Sequence, residues 1–112
     1  MQLSEDTPLT EFLVTAYEVG TIWVNQVPYS HSIIITPEQV ELWDGDFEKL
    51  LKENIELILI GTGADAKLIM PEQLVLFYEK NIGVEVMNTQ AACRTYNLLA
   101  NEGRQVIAGL LI

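Results

Sequence analysis

The first half of the chain has the hydrophobic and polar pattern of an antiparallel meander. Two segments rich in β-branched and aromatic residues flank Gly20, which predicts two strands joined by a short turn. Pro28 marks a second turn and Pro37 a third, each followed by a further β-rich segment. The predicted strands cover residues 12–18, 21–25, 29–36 and 39–44.

The second half alternates between helical and strand patterns. Residues 46–54 carry apolar side chains at helical spacing, and residues 55–60 are nearly all apolar, as in a strand covered on both faces. Pro71 suits the first position of a helix that Gly83 stops, and a strand follows from Gly83 to Met87. Asn88 or Thr89 caps the next helix, which ends at Gly103.

Residues 106–112 are apolar throughout, which predicts a last strand at the centre of the sheet. The order strand, helix, strand, helix, strand is the pattern of βαβ units, whose helices cover a parallel sheet. We therefore predict an α/β fold in which a meander precedes a mixed sheet with helices packed on it.

The chain length and the net charge limit the classes of function that the sequence supports. With 112 residues the chain is predicted to be a single domain, and its first ten residues are expected to be flexible. The net charge is −10, and the first 48 residues contain no Lys or Arg. This charge disfavours binding to nucleic acid and to anionic membrane surfaces.

The cellular location is predicted from cysteine usage and from hydrophobicity. Cys93 is the only cysteine, so no internal disulfide can form and a reducing compartment is indicated. We see no secretory signal or targeting extension, and the apolar runs are too short to span a bilayer. We therefore expect a cytoplasmic protein without direct membrane insertion.

The closing segment resembles a known family. The matching runs are Ile82–Thr89, Ala92–Leu99 and Glu102–Arg104, with supporting matches at Gly20–Ile22, Tyr29–Ile33, Trp43, Ile60–Gly63 and Pro71. They are similar to the small domains of unknown function that include mitochondrial complex I assembly factor 3 and the adipogenesis-associated protein of animals. The resemblance implies a three-layer domain with helices on both faces of a mixed sheet, and a protein that helps others assemble. It supplies no catalytic residues, and the missing targeting extension favours a bacterial or cytosolic member.

Two loops that follow predicted parallel strands are candidates for binding a small molecule or anion. Ligands of open α/β sheets bind beyond the carboxyl ends of strands, where helix N-termini offer free amides. Turn-forming glycines and a helix cap are the favoured alternative, since Gly61–Gly63 fits neither a P-loop nor a dinucleotide fingerprint. The candidate ligand-binding residues are Gly61, Thr62, Gly63, Asn88, Thr89, Cys93 and Arg94.

The sequence gives little support to a catalytic site or a metal-binding site. A nucleophilic Cys93 beside Arg94 would need a base, and His31 is the only histidine. Ser30 and Ser32 would face away from His31 if all three lie on one strand. We assign no catalytic residues, no metal ligands and no cofactor, and expect Arg94 and Arg104 to pair with Glu85 and Glu102.

The leading hypothesis is a non-enzymatic interaction or assembly-factor-like domain with a protein partner. Its contact surface would be an aromatic patch ringed by acidic residues, although the same aromatic residues suit a core. A ligand-binding domain, enzymatic or not, and a self-associating domain are the alternatives. The candidate interface residues are Tyr17, Trp23, Tyr29 and Trp43.

Overall fold

The computed structural model describes residues 11–112, so the predicted flexibility of the first ten residues lies outside the described range. The helices are α1 (Pro71–Tyr78) and α2 (Thr89–Asn101), and a short 3-10 helix spans Phe47–Leu50. The strands are β1 (Val14–Glu18), β2 (Thr21–Val24), β3 (Val27–Tyr29), β4 (Ile33–Thr36), β5 (Gln39–Leu42), β6 (Leu57–Thr62), β7 (Gly83–Met87) and β8 (Val106–Leu111).

The predicted meander is divided between two sheets. Strands β1, β2 and β3 form a separate antiparallel sheet, whereas β4 and β5 join a five-stranded sheet in the order β5-β4-β8-β6-β7. The predicted strand from Tyr29 to Thr36 is interrupted, and His31 lies in the connection. His31 and its neighbouring serines are therefore not held on opposite faces of a strand. Strand β4 is buried on both faces, which explains why it pairs inside the larger sheet.

The five-stranded sheet confirms the predicted three-layer α/β architecture. Strand β6 pairs in parallel with β7 on one side and with β8 on the other, and β8 is central as predicted. The two crossovers run in opposite directions along the sheet, so their right-handed sense places α1 and α2 on opposite faces.

Alternating residues of the central strands fill two separate cores. On the face of α2, Leu59 and Ala108 pack against Tyr96, and Ile22 of the small sheet closes this core from outside. On the other face, the alternate residues of the same strands pack against Phe77 of α1 and against the 3-10 helix. Each helix therefore buries one face against the same sheet.

Three local expectations are wrong. The helix expected over residues 46–54 is only the 3-10 turn, capped by Asp46 Oδ1, which accepts a hydrogen bond from Glu48 N at 3.0 Å. Strand β6 extends to Thr62, so two of the predicted loop residues lie within a strand. Arg104 pairs with Glu56 at 2.8 Å rather than with Glu102, and joins the start of β8 to the start of β6.

Candidate functional site

The carboxyl ends of β6 and β7 bring five of the seven candidate ligand-binding residues together. Thr89 N donates to Gly63 O at 2.8 Å, and Gly63 N donates to Thr89 Oγ1 at 2.8 Å. The Thr89 hydroxyl in turn donates to Leu111 O at 2.6 Å. The side chain of Thr89 is fully buried, so the start of α2 is tied to the ends of β6 and β8.

Gly61 serves the packing of α2 on β6. A Cβ atom at Gly61 would lie 2.9 Å from Thr89 Cα and 2.9 Å from Thr89 Oγ1. Such a contact is shorter than real Cβ atoms show, so only glycine permits this close approach of helix and strand.

The remaining polar groups at these strand ends are also used within the chain. Asn88 Oδ1 accepts a hydrogen bond from Ala91 N at 2.8 Å, which makes Asn88 the N-cap of α2. Thr62 Oγ1 donates to Asp65 O at 2.8 Å and accepts from Lys67 N at 3.1 Å. The arrangement is that of a self-satisfied turn and cap, which we call the strand-end cluster (Gly61, Thr62, Gly63, Asn88 and Thr89).

Cys93 and Arg94 lie apart from the strand-end cluster, in a cleft of about 190 Å³ between β1 and α2. Cys93 is 4% exposed, and burial raises the pKa of its thiol to about 12 although Arg94 opposes the shift. The thiol is therefore protonated at neutral pH. The cleft is also lined by Val14, Thr15, Ala16, Tyr17, Gln90 and Asn97.

The Tyr17 hydroxyl is the one buried side-chain polar atom without a hydrogen-bond partner among residues 11–112. Burial, with a smaller contribution from the nearby Cys93, raises the pKa of this phenol. An unpaired hydroxyl beside an exposed arginine is a feature that a small polar ligand can use.

His31 lines a different, shallower depression of about 300 Å³ together with Trp43, Asp44 and Lys49. The structure thus does not bring Cys93 and His31 into one cleft, and the pairing that a cysteine nucleophile needs is not formed. Within the described part of the chain, no group of three or more His, Cys, Asp or Glu side chains is arranged to hold a metal ion.

The four candidate interface aromatics do not form one exposed patch. Trp43 is only 5% exposed, its Nε1–H donates to Asp46 O at 2.9 Å, and its ring covers Gly109. Trp43 is therefore a core residue, which corrects its assignment to a contact surface. Tyr17, Trp23 and Tyr29 are half-buried in the small sheet, and Tyr17 and Tyr29 pack against the core beneath it.

Four of the exposed large apolar residues, all missed by sequence reasoning, lie on or just before α1, and the others lie elsewhere in the chain. Leu68 is 91% exposed, Met70 and Tyr78 are each 52% exposed, and Val75 is 49% exposed. We call these four residues the α1 flank. The continuous apolar run from Leu74 to Tyr78 was the available signal, because a surface helix normally has a polar side.

These features define the class of protein: a small three-layer α/β domain with a closed strand-end cluster and an apolar helix flank. The chain belongs to the family described as "Protein of unknown function (DUF498/DUF598)", whose model matches residues 14–111. This family matches the resemblance seen in the sequence, because several of the relatives are complex I assembly factors. No helix among the described residues is long and apolar enough to cross a bilayer.

Two relatives and one solved structure illustrate the similarity. The chain is 28% identical to the bovine NADH dehydrogenase [ubiquinone] 1 alpha subcomplex assembly factor 3, over 97% of this chain and 65% of the relative. It is 30% identical to the 13 kDa major membrane protein of Francisella tularensis, over 95% of each chain. A crystal structure from Bordetella parapertussis is 42% identical, covers 91% of this chain and 96% of its own, and superposes with a TM-score of 0.82. The chain thus spans less than two thirds of the bovine assembly factor's length.

Proposed function

We propose that this chain is a non-enzymatic interaction domain with an assembly-factor-like role, and that the α1 flank is part of its contact surface. The relatives named as assembly factors support the role. The observation that carries the proposal is the presence of large apolar side chains on two sides of α1.

Helix α1 carries large apolar side chains on its core side and also on part of its solvent side, where Glu72 and Gln73 are exposed as well. Leu74 and Phe77 are buried in the core, whereas Val75 and Tyr78 of the α1 flank are half exposed. The solvent side of a surface helix is normally polar. Large apolar side chains that remain exposed together mark a protein contact surface.

The test is a comparison of partners captured by tagged full-length chains from the source cell. The doubly substituted Val75→Ser, Tyr78→Ser chain should lose at least about 90% of the specifically captured partner, a loss of over 1.4 kcal/mol in binding free energy. Leu98→Ser is the matched control, because Leu98 is 60% exposed on α2 and lies outside the α1 flank. Equal capture by both variants would remove the α1 flank from the proposal.

A second candidate function is binding of a small anion in the cleft between β1 and α2. The unpaired Tyr17 hydroxyl and Arg94 favour this site over the closed strand-end cluster. A thermal-shift screen with metabolites tests it. A saturable rise in melting temperature that Arg94→Ala abolishes would support ligand binding. An unchanged melting temperature would leave the interaction role as the remaining candidate function.

Location and self-association belong to the same proposal. The unpaired, protonated Cys93 thiol is consistent with the cytoplasm, where we place the protein. The charge of −10 opposes both contact with nucleic acid and close approach of two copies. Light scattering of the purified chain should therefore give the mass of a monomer.

A further inference from the structure

The four outer strands of the two sheets differ in how their open edges are protected. An unpaired strand edge is a template for another strand, and most proteins protect it. In β1, Asn97 receives a hydrogen bond from Val14 N at 2.9 Å and donates one to Val14 O at 2.7 Å. Strand β3 contains Pro28, which has no N–H to offer an added strand. Strand β5 carries a charged pair at its edge, since the Lys52 ammonium lies 3.3 Å from the Glu41 carboxylate.

Strand β7 has no such cover among residues 11–112, where its only pairing partner is β6. Gly83 N points toward β6, because it donates to Glu56 O at 3.4 Å. Backbone groups alternate in direction along a strand, so those of Val84 and Val86 point away from β6. The edge therefore presents two N–H groups and two C=O groups in the spacing that an added strand requires.

Helix α1 packs on β7 and extends this edge with apolar side chains. Leu74 and Phe77 point into the core, and the turn of about 100° per residue places Val75 and Tyr78 together on the next flank of the helix. The right-handed connection from β6 to β7 directs that flank toward the open side of β7. Val75 and Tyr78 thus lie beside the open edge of β7.

The charges around this edge select the partner. Glu85 lies at the centre of β7 with its side chain on the α2 face of the sheet, whereas Glu72 and Glu79 border Val75 on the α1 side. The single cation in the segment 71–87 is Lys80. Antiparallel pairing of two copies centred on Glu85 would place like charges opposite each other, which is destabilising. A strand with a basic residue opposite Glu85 avoids this repulsion and gains an attractive cross-strand pair.

We propose that β7 accepts an extended segment of another protein as an added strand, with a basic residue opposite Glu85 and apolar side chains against Val75 and Tyr78. This mode of recognition uses main-chain hydrogen bonds for affinity and side chains for specificity. The inference rests on the interaction role proposed above and specifies its partner's chemistry.

The first experiment selects random twelve-residue peptides displayed on phage against the immobilised full chain. The enriched peptides should combine β-branched or aromatic residues with Lys or Arg, and should shift the amide resonances of β7 and α1. Selection of no peptide, or of peptides that shift only residues elsewhere, would overturn the proposal.

The second experiment exchanges the charges. Against the selected peptide, Glu85→Lys should weaken binding about threefold to tenfold, and a peptide with its basic residue changed to Glu should regain that loss only on the Glu85→Lys chain. Glu53→Lys is the matched control, because Glu53 is an exposed acid in the turn before β6 and is not part of β7. Equal effects of the two substitutions would exclude Glu85 as the specificity residue.

Hydrogen exchange supplies a readout that needs no variant. In the free chain, the amides of Val84 and Val86 should exchange quickly and those of Glu85 and Met87 slowly, and the bound peptide should slow the first pair. Protection of Val84 and Val86 in the free chain, or a dimer formed through β7, would contradict the proposal. If partner capture depends on the α1 flank while Glu85→Lys has no effect, the interaction role stands and strand addition fails.

Discussion

The two helices lie on opposite faces of one sheet and differ in how the side chains that do not face the sheet are used. Along α2 the polar side chains that reach neighbouring elements are used internally: Tyr96 Oη donates to Phe12 O at 2.8 Å, and Asn97 binds Val14. Along α1 the core side is equally well packed, but Val75 and Tyr78 remain exposed. The polar groups of α2 thus complete the fold, and its exposed large apolar side chain is Leu98, whereas α1 exposes two such side chains about one turn apart.

The strand ends use their polar groups within the chain. Their position beyond parallel strands is the one at which many α/β proteins bind ligands. Here the Thr89 amide and hydroxyl are hydrogen-bonded to Gly63 and Leu111, so these two groups already have partners within the chain.

The largest expected effect concerns Cys93 on α2. Because burial raises the pKa of its thiol to about 12, its alkylation by iodoacetamide at pH 8 should be about a thousandfold slower in the folded than in the unfolded chain. Mass spectrometry of alkylated protein with and without denaturant measures the ratio. A folded-state rate within about tenfold of the unfolded rate would mean that the α2 side is more open than the structure shows.

The raised pKa of Cys93 also makes stability depend on pH. The folded chain holds this proton more tightly than the unfolded chain, so its stabilising contribution is present below about pH 9 and is lost as the pH rises toward about 12. The stability difference between wild type and Cys93→Ala, measured by urea unfolding, should therefore narrow across that range.

The next effect is the loss of the buried hydroxyl at the start of α2. Thr89→Val leaves Gly63 N–H and Leu111 C=O without their partner, so unfolding free energy should fall by about 3 kcal/mol in a urea titration. Thr95→Val is the control, with an expected change below about 0.5 kcal/mol, since the Thr95 hydroxyl contacts only the Met87 sulfur. Equal losses would argue against a special role of the strand-end cluster in stability.

Gly61→Ala should lower the unfolding free energy by about 2 kcal/mol. The added methyl would meet the backbone of Thr89, which can move only with the whole helix. At Gly83 the nearest atom to the added methyl would be in the flexible Leu57 side chain at 3.2 Å, with Glu56 O at an ordinary 3.7 Å, so Gly83→Ala is the matched glycine control with the smaller effect. A neutral Gly61→Ala would show that α2 can shift away from β6.

The smallest effect is expected on α1. Val75→Ser and Tyr78→Ser should each change the unfolding free energy by less than about 0.5 kcal/mol, because about half of each side chain is already exposed. Thermal unfolding beside the capture experiment separates stability from binding. A loss above about 2 kcal/mol would place these residues in the core and weaken the contrast between the helices.

Much of the second half was predictable because local signals agree there with the tertiary contacts. Pro71 does begin α1, Asn88 does cap α2, and the apolar segment after Gln105 is central. In the first half, the strand expected from Tyr29 to Thr36 is broken at residues 30–32. Tyr29 ends β3 in the small sheet, and β4 pairs with β8, about 75 positions further along the chain.

The candidate site was predicted only in part for the same reason. The neighbourhood of Gly63 and Thr89 follows from the order of the parallel strands, but whether their polar groups face a ligand or each other depends on sub-ångström placement of α2. Trp43 illustrates the limit: a tryptophan between acidic residues suggests a surface, yet the missing side chain of Gly109 leaves room for its ring in the core.

The amino-acid sequence by itself determined the alternation of strands and helices in the second half, because periodicity and caps act locally. Its short motifs determined the family, and the resemblance to that family implied the three-layer class. Only the tertiary structure decided which side chains are buried, which polar groups are hydrogen-bonded within the chain and which surfaces remain uncovered. Long-range packing buries Cys93 and Trp43, closes the strand-end cluster, and leaves the flank of α1 and the edge of β7 uncovered among the residues described. Burial and hydrogen-bond satisfaction are properties of contacts between distant segments, and no local pattern encodes them.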